Sequence, residues 1–277
     1  MIRFDGQVAL VTGAGRGLGA AYARAFADRG ASVVVHDAGV GPEGTGFDPV
    51  PADATVAGIA EAGGTAAACY EDLASDEGCR ATVTFALARF GRLDILVHNA
   101  GLLTFRPIEE TDATLWRRLL AVNVEAPFFL SQAAFPQMKR QGYGRIVVTT
   151  SGRAMHLPWS QPGLTAYAVG KMAQLGLMNA LAAEGEPHDI RVNAISPVAA
   201  TRMLRRPATP GELDPAQVAP GLLFLASAAC DFSGLILRAA GDRFSVARWA
   251  FSEGADFGPG PVTPETIAAR WPDIASG

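Results

Sequence analysis

The chain has 277 residues, of which 49% are apolar, and its formal net charge at pH 7 is -4. This length is sufficient for one large domain with a sizeable core. The acidic balance excludes a basic nucleic-acid-binding surface, and no uncharged apolar run approaches the roughly 18 residues of a membrane span.

Short runs rich in Val, Ile and Leu alternate with longer amphipathic segments along most of the chain. Strands that are apolar on both sides and alternate with helices predict a parallel sheet covered by helices on both faces. In chain order the predicted elements are strand Val8–Val11, helix Leu18–Arg29, strand Ser32–His36, helix Ala54–Ala62, strand Thr65–Tyr70, helix Glu77–Phe90, strand Ile95–His98, a helical region over 112–140, strand Ile146–Thr149, a helix over 166–184, strand Arg191–Ile195, helix Pro215–Ala226 and strand Leu235–Arg238.

Two segments interrupt this alternation. Residues 38–53 are rich in Gly and Pro and predict a loop, and residues 241–277 extend past the last strand. Within the extension, Thr263 followed by Pro264 predicts a helix start. Without an internal repeat or a second-domain boundary, we predict one Rossmann-type, doubly wound α/β domain over 1–277, with a core of 1–240.

Four glycines, Gly13, Gly15, Gly17 and Gly19, lie between the first strand and the first helix. Glycine at such a turn lets backbone N–H groups approach a pyrophosphate at the positive end of the helix. The alternative is a tight turn in a glycine-rich chain. The strand before the motif and the helix after it favour a dinucleotide site.

The end of the second strand bears on the choice of dinucleotide. Asp37 stands where a carboxylate reaches the ribose hydroxyls of the adenosine, and it would repel a 2'-phosphate. Arg16 favours the opposite choice, because a guanidinium in the glycine turn could pair with that phosphate. We weigh Asp37 more heavily and predict NAD, with NADP as the alternative.

The chain has only two lysines, and Lys171 follows Tyr167 by four residues, one helical turn away on the same face. An ammonium about 4 Å from a phenol, at an effective dielectric near 20, contributes about 4 kcal/mol, or roughly three pKa units. Burial of the lysine would reduce this effect. The pair predicts a tyrosine that exchanges protons near neutral pH, against the alternative of a chance pairing on a helix surface.

Together these motifs resemble the short-chain dehydrogenase/reductase family over about residues 5–240. The resemblance also matches an Asn-Ala-Gly motif at 99–101, the active-site Asn at Asn123 and the active-site Ser at Ser151. It implies that Tyr167 is the general base, that Lys171 lowers its pKa and bonds the nicotinamide ribose, and that Ser151 holds the substrate oxygen. Asn123 would position a water in the proton relay.

The cofactor-binding residues that the resemblance implies belong to the glycine motif and to the segments facing it. The family's adenine-ring Asp corresponds to Asp72. The full set is Gly13, Gly15, Arg16, Gly17, Leu18, Gly19, Asp37, Asp72, Leu73, Asn99, Ala100, Gly101, Tyr167, Lys171, Pro197 and Thr201.

The sequence departs from the family pattern in three places. His98 replaces a first Asn, and the separation of Ser151 from Tyr167 predicts an enlarged loop, in which Ser160 is a second, weaker candidate serine. Val198 follows Pro197 where the family has Gly, which leaves Thr201 for the nicotinamide amide. Thr149 and Thr150 are expected to be core-strand residues.

Within the family, the long loop after Asp37 and residues 196–203, 248–254 and 263–271 are similar to the (3R)-hydroxyacyl-CoA dehydrogenase domains of peroxisomal multifunctional enzyme type 2 and bacterial relatives. This likeness implies a hydroxyacyl-CoA or steroid alcohol. Cations that could face CoA phosphates, or be solvated loop charges, are Arg153, Arg202, Arg205 and Arg206. Candidates for an apolar wall, or for packing, are Met155, Leu157, Trp159, Met203 and Leu204.

The remaining features concern partners and location. The four histidines fall on separate elements and predict no metal site, and the three cysteines, without a signal peptide, predict a cytoplasmic protein. The family resemblance implies a homodimer or homotetramer. We therefore expect a small-molecule substrate, with an NADPH-dependent ketoreductase of secondary metabolism and a non-catalytic NAD-binding regulator as alternatives.

Overall fold

The computed structural model describes residues 1–41, 44–201, 209 and 211–276. Its sheet has eight strands in the order β3-β2-β1-β4-β5-β6-β7-β8, and every neighbouring pair from β3 to β7 is parallel. The strands are β1 Val8–Thr12, β2 Ser32–His36, β3 Thr65–Cys69, β4 Ile95–His98, β5 Gly144–Thr149, β6 Ile190–Val198, β7 Ile236–Ala240 and β8 Arg243–Ala247.

Helices cover both sides of the sheet. A π-helix, Ala121–Glu125, separates α4 from α5, and short 3-10 helices occur at Ile108–Glu110, Leu157–Trp159 and Glu186–His188. The α-helices are α1 Gly17–Ala27, α2 Val50–Glu61, α3 Asp76–Phe90, α4 Ala113–Leu120, α5 Ala126–Gln141, α6 Gly152–Met155, α7 Thr165–Gly185, α8 Pro215–Leu225, α9 Pro264–Ala269 and α10 Trp271–Ala275.

The central strands are buried on both faces, which explains their near-continuous Val, Ile and Leu content. Every residue of β1, β4 and β5 is buried. Each large aliphatic side chain removed from water contributes about 1.5–3 kcal/mol, so these strands hold the middle of the sheet rigidly. The predicted doubly wound parallel sheet is confirmed.

Two boundaries differ from the sequence-based expectation. Helix α2 begins at Val50 rather than Ala54, because Pro51 lies in its first turn, where proline is tolerated, so the loop after Asp37 is shorter than predicted. Strand β8 was not predicted, and most of its residues are exposed at the edge of the sheet. The start of α9 is as predicted, with the Thr263 hydroxyl accepting a hydrogen bond from the Thr266 N–H at 3.3 Å.

The chain divides into two compact units, Met1–Val246 and Ala247–Gly277. The first unit holds β1 to β7 and all but the last residue of β8, and the second unit holds α9 and α10. None of the described helices combines the length and the apolar content needed to cross a membrane. The predictions for Arg202, Met203, Leu204, Arg205 and Arg206 lie outside the described residues.

Candidate active site

The glycine turn between β1 and α1 is packed too closely for side chains. A Cβ at Gly13 would lie 2.9 Å from the Ala100 Cα, and a Cβ at Gly15 would lie 2.7 Å from the Pro51 Cβ. Arg16 caps α1 without a side-chain hydrogen bond to the first turn of the helix. The N–H groups in the first turn of α1 therefore have no side-chain cap and can face an anion.

Asp37 follows β2 and faces the same turn. Its carboxylate accepts hydrogen bonds from the Gly15 N–H at 2.9 Å and from the Gly39 N–H at 2.8 Å. Arg16 pairs instead with Asp48, at 3.3 Å and with both side chains about half exposed. Asp37 is thus fixed at the turn, whereas the ion pair of Arg16 is open to solvent.

The Asn-Ala-Gly segment after β4 joins two strand ends. The Asn99 side-chain amide donates to the backbone oxygens of Thr12, at 3.0 Å, and Gly13, at 3.1 Å. The Thr12 hydroxyl accepts from the N–H groups of Asn99 and Ala100 and lies 3.3 Å from His98 Nδ1. Burial lowers the pKa of His98 to about 3, so this ring is neutral where the family usually has an amide.

Tyr167 and Lys171 lie on α7 and are both buried, with 8% and 3% exposure. The Lys171 Nζ is 6.0 Å from the centroid of the Tyr167 ring. The Thr150 hydroxyl donates to the Lys171 backbone oxygen at 2.8 Å, which ties α7 to the end of β5 beside Ser151. Thr150 therefore has a positioning role beyond the core packing expected of it.

Burial dominates the electrostatics of this pair. It raises the pKa of Tyr167, and a hydrogen bond with Ser151 and the charge of Arg153 only partly oppose the rise. Burial also lowers the pKa of Lys171 to about 8. The pKa of Tyr167 is therefore raised, whereas the Lys171 charge alone would lower it. The reason is that both groups lose solvation in the fold.

Asn123 lies in the π-helix and is fully buried. Its side-chain amide exchanges hydrogen bonds with the backbone of Leu102, and a Cβ at Gly101 would lie 3.0 Å from Asn123 Oδ1 and 3.1 Å from Lys171 Nζ. The Asn123 backbone oxygen accepts from Gln174 Nε2 at 2.9 Å. Gln174 was not predicted as a site residue, although its spacing from Lys171 places both on one helical face.

These elements surround one cleft of about 990 Å³ at the carboxyl ends of the parallel strands. Gly15, Gly19 and Asn123 do not line it. They lie behind its wall, where the contacts above hold the turn and the π-helix. The predicted site residues that do line it are Gly13, Arg16, Gly17, Leu18, Asp37, Asp72, Leu73, Asn99, Ala100, Gly101, Ser151, Tyr167, Lys171, Pro197 and Thr201.

The enlarged loop after Ser151 forms part of the same cleft. Trp159 and Ser160 line it. Met155 and Leu157, which were candidates for an apolar wall or for packing, do not line it, and Leu157 is 86% exposed. Arg238, at the end of the sequence-predicted last strand, also lines the cleft and was not identified as a site residue. The rule that ligands bind beyond strand ends could have found it.

The arrangement fits a nicotinamide dinucleotide. The uncapped helix start suits a pyrophosphate, and Asp37 suits ribose hydroxyls. The family model described as short chain dehydrogenase matches residues 7–210. The chain belongs to the short-chain dehydrogenase/reductase family.

Similarity to individual members covers nearly the whole chain. It is 38% identical, over 99% of its length, to "Peroxisomal multifunctional enzyme type 2" of Drosophila melanogaster, but it spans only 46% of that relative. The crystal structure of a short chain dehydrogenase from Mycobacterium avium matches 98% of this chain and 95% of its own, with a TM-score of 0.85 and 32% identity. The family and the subgroup likeness inferred from the sequence are confirmed.

Solved relatives differ in the nicotinamide cofactor that they hold. A 7α-hydroxysteroid dehydrogenase complexed with NADH and 7-oxo glycochenodeoxycholic acid is 35% identical, with a TM-score of 0.77 over 86% of this chain and 94% of its own. A metagenomic short-chain oxidoreductase in complex with NADP is 32% identical, with a TM-score of 0.69 over 80% and 91%. As a short-chain dehydrogenase/reductase, this chain is an oxidoreductase of the nicotinamide-dependent type.

Proposed function

We propose that the protein is an NAD-dependent oxidoreductase that interconverts a secondary alcohol and its ketone. The observation that carries the proposal is that Tyr167, Lys171 and Ser151 line the same cleft as the glycine turn and Asp37. A bound nicotinamide dinucleotide would supply the hydride acceptor or donor. Gly17 and Leu18 would face its pyrophosphate, and Asp37 would bind its adenosine ribose.

The protein's own groups would move the proton. In reduction the Tyr167 phenol gives its proton to the substrate oxygen, in oxidation the Tyr167 phenolate takes that proton from the alcohol, and the Ser151 hydroxyl holds the substrate oxygen in both directions. Because burial raises the pKa of Tyr167, the phenol is protonated at neutral pH, which favours its role as an acid. Lys171, with a pKa of about 8, carries the positive charge that stabilises the phenolate. Asn123 holds the π-helix behind them.

Two substrate classes have support: the resemblance to the (3R)-hydroxyacyl-CoA dehydrogenase domains favours 3-hydroxyacyl-CoA esters, and the likeness to a 7α-hydroxysteroid dehydrogenase favours steroids. For the assembly we propose a homodimer or homotetramer, since Phe128 is exposed on α5 and lines a shallow apolar depression with Phe129 and Leu177. A single domain over 1–277 with an extension from 241, and a cytoplasmic location, remain our expectations.

The second candidate is an NADPH-dependent ketoreductase, which Arg16 in the glycine turn favours. Its pairing with Asp48 makes this weaker than the Asp37 argument, because a 2'-phosphate would have to displace that carboxylate. A non-catalytic NAD-binding regulator is opposed by the assembly of Ser151, Tyr167 and Lys171 around one cleft.

A turnover panel tests the proposal. Hydroxyacyl-CoA esters, steroid alcohols and simple secondary alcohols are incubated with NAD or NADP, and reduced nicotinamide is followed at its absorbance band. We expect oxidation of at least one class with a higher kcat/KM for NAD. A clear NADP preference would favour the ketoreductase, and tight NAD binding without any turnover would favour the regulator.

A further inference from the structure

Arg238 is an arginine inside the cleft that the cofactor assignment leaves unused. It lies on β7 opposite Ser196 of β6, and both residues line the cleft. Its guanidinium carbon stacks over the Trp159 ring, 4.7 Å from the centroid. The enlarged loop therefore holds the end of this side chain in the cleft.

A short chain of contacts joins Arg238 to the catalytic serine. A Cβ at Gly152 would lie 2.7 Å from Trp159 Cε3 and 3.8 Å from the Ser196 hydroxyl, so the tryptophan ring packs on the residue that follows Ser151. His156 packs edge-on against the same ring, with 4.7 Å between centroids. The Trp159 ring thus connects the guanidinium to the segment that carries Ser151.

The charge of Arg238 is not neutralised by the part of the chain that the structure describes. Arg145 and Arg270 also stack on aromatic rings, but each pairs with an aspartate, Asp189 at 3.4 Å and Asp273 at 3.2 Å. Arg238 is partly buried and has no carboxylate within ion-pair distance among residues 1–41, 44–201, 209 and 211–276. The same holds for Arg153, which borders the cleft beside Ser151.

We propose that Arg238, held by Trp159 and assisted by Arg153, forms a subsite for a carboxylate on the body of the substrate. A guanidinium fork pairs with a carboxylate through two parallel hydrogen bonds, and partial burial strengthens that pairing. This proposal rests on the proposed oxidoreductase function and narrows its substrate to carboxylate-bearing alcohols and ketones.

The alternative source of an oxyanion is the phosphate groups of a CoA ester. Those groups lie at the far end of the pantetheine arm from the reacting acyl group, whereas Arg238 is joined to Ser151 through only Trp159 and Gly152. The location of the arginine therefore favours a carboxylate on the body of the substrate over the phosphate groups of CoA.

Matched acids and esters test the subsite. We would measure kcat/KM with NAD for 3-hydroxybutyrate and its methyl ester, for cholate and its methyl ester, and for 3-hydroxybutyryl-CoA. The variants are Arg238→Gln, Arg238→Lys and, as a control, Arg89→Gln, whose arginine stacks on Phe90 outside the cleft at 5.0 Å. Melting curves check that each variant folds.

We expect at least one acid to be preferred over its ester, and Arg238→Gln to lower kcat/KM for that acid by about ten- to a hundredfold while changing the ester less than threefold. Arg238→Lys retains part of the preference because it keeps the charge but loses the fork, and Arg89→Gln retains all of it. Three results would overturn the proposed subsite. The first is an equal kcat/KM for acid and ester in the unaltered enzyme, and the second is an equal loss of kcat/KM for both in Arg238→Gln. The third is a loss of kcat/KM confined to the CoA ester.

If none of these compounds is oxidised, the test of the subsite is direct binding. Calorimetric titration of cholate and methyl cholate into the unaltered protein and Arg238→Gln, with NADH present, should show tighter cholate binding that the substitution removes. Equal binding of the two compounds overturns the subsite. Failure of turnover on the wider panel, with cholate binding intact, overturns only the oxidoreductase proposal.

Discussion

Replacing Lys171 by Met should stabilise the cofactor-free protein at neutral pH. The lysine is 3% exposed, and its ammonium is taken out of water against Asn123 and Gly101 rather than against a carboxylate. Methionine fills a similar volume without a charge. The substitution should therefore remove a destabilising group, although it also removes the proposed cofactor contact.

The magnitude follows from the pKa of Lys171, which burial lowers from 10.5 to about 8. At 1.36 kcal/mol per pH unit, this corresponds to about 3 kcal/mol in the free energy of unfolding. Below pH 8 the lysine is charged in both the folded and the unfolded state, so the full destabilisation is present. Between pH 8 and 10.5 only the unfolded state holds the proton, so the stability of the unaltered protein rises with pH.

Urea unfolding at pH 7 and at pH 10, without nucleotide, measures this difference. Lys171→Met should be more stable than the unaltered protein by up to about 3 kcal/mol at pH 7, and the gain should nearly vanish at pH 10. Lys139→Met, at the other lysine, which is exposed on α5, should change neither value. A Lys171→Met protein that is less stable at pH 7, or a gain that does not depend on pH, would refute this reasoning.

Three other substitutions test the cofactor end of the cleft. Asp37→Asn removes the charge and keeps one of the two acceptor oxygens that the Gly15 and Gly39 N–H groups use, so the ratio of kcat/KM for NAD to that for NADP should fall at least about tenfold. An unchanged ratio would contradict the role of Asp37. Gly15→Ala should weaken NADH binding, followed by fluorescence titration, because its Cβ would lie 2.7 Å from the Pro51 Cβ. Gly58→Ala, on α2 with its nearest neighbour at 3.9 Å, should bind NADH normally and gain up to about 1 kcal/mol of stability.

The sequence predicted the succession of strands and helices along the chain because buried parallel strands are apolar throughout, as in β1 and β5. The start of α2 was missed because Pro49 and Pro51 are typical of a loop, although proline also fits the first turn of a helix. Strand β8 was missed because its residues are mostly exposed, so no buried pattern marks it.

For the site, the spacing of Tyr167 and Lys171 predicted a shared face, and both line the cleft. Their pKa values depend on burial by distant segments, which no local pattern contains. Arg238 meets Trp159 from almost 80 residues further along the chain, and the π-helix at Asn123 has no sequence signature. Local motifs thus predicted residues that line the cleft, whereas long-range contacts determine their electrostatics.

Tyr167→Phe tests the central claim most directly, because it removes one hydroxyl and leaves the ring in place. With the best alcohol of the panel and saturating NAD, kcat should fall at least about a hundredfold, as loss of a general acid–base group requires, while NADH binding stays close to normal. Tyr143→Phe, outside the cleft, should keep its activity. Undiminished oxidation by Tyr167→Phe would contradict the account.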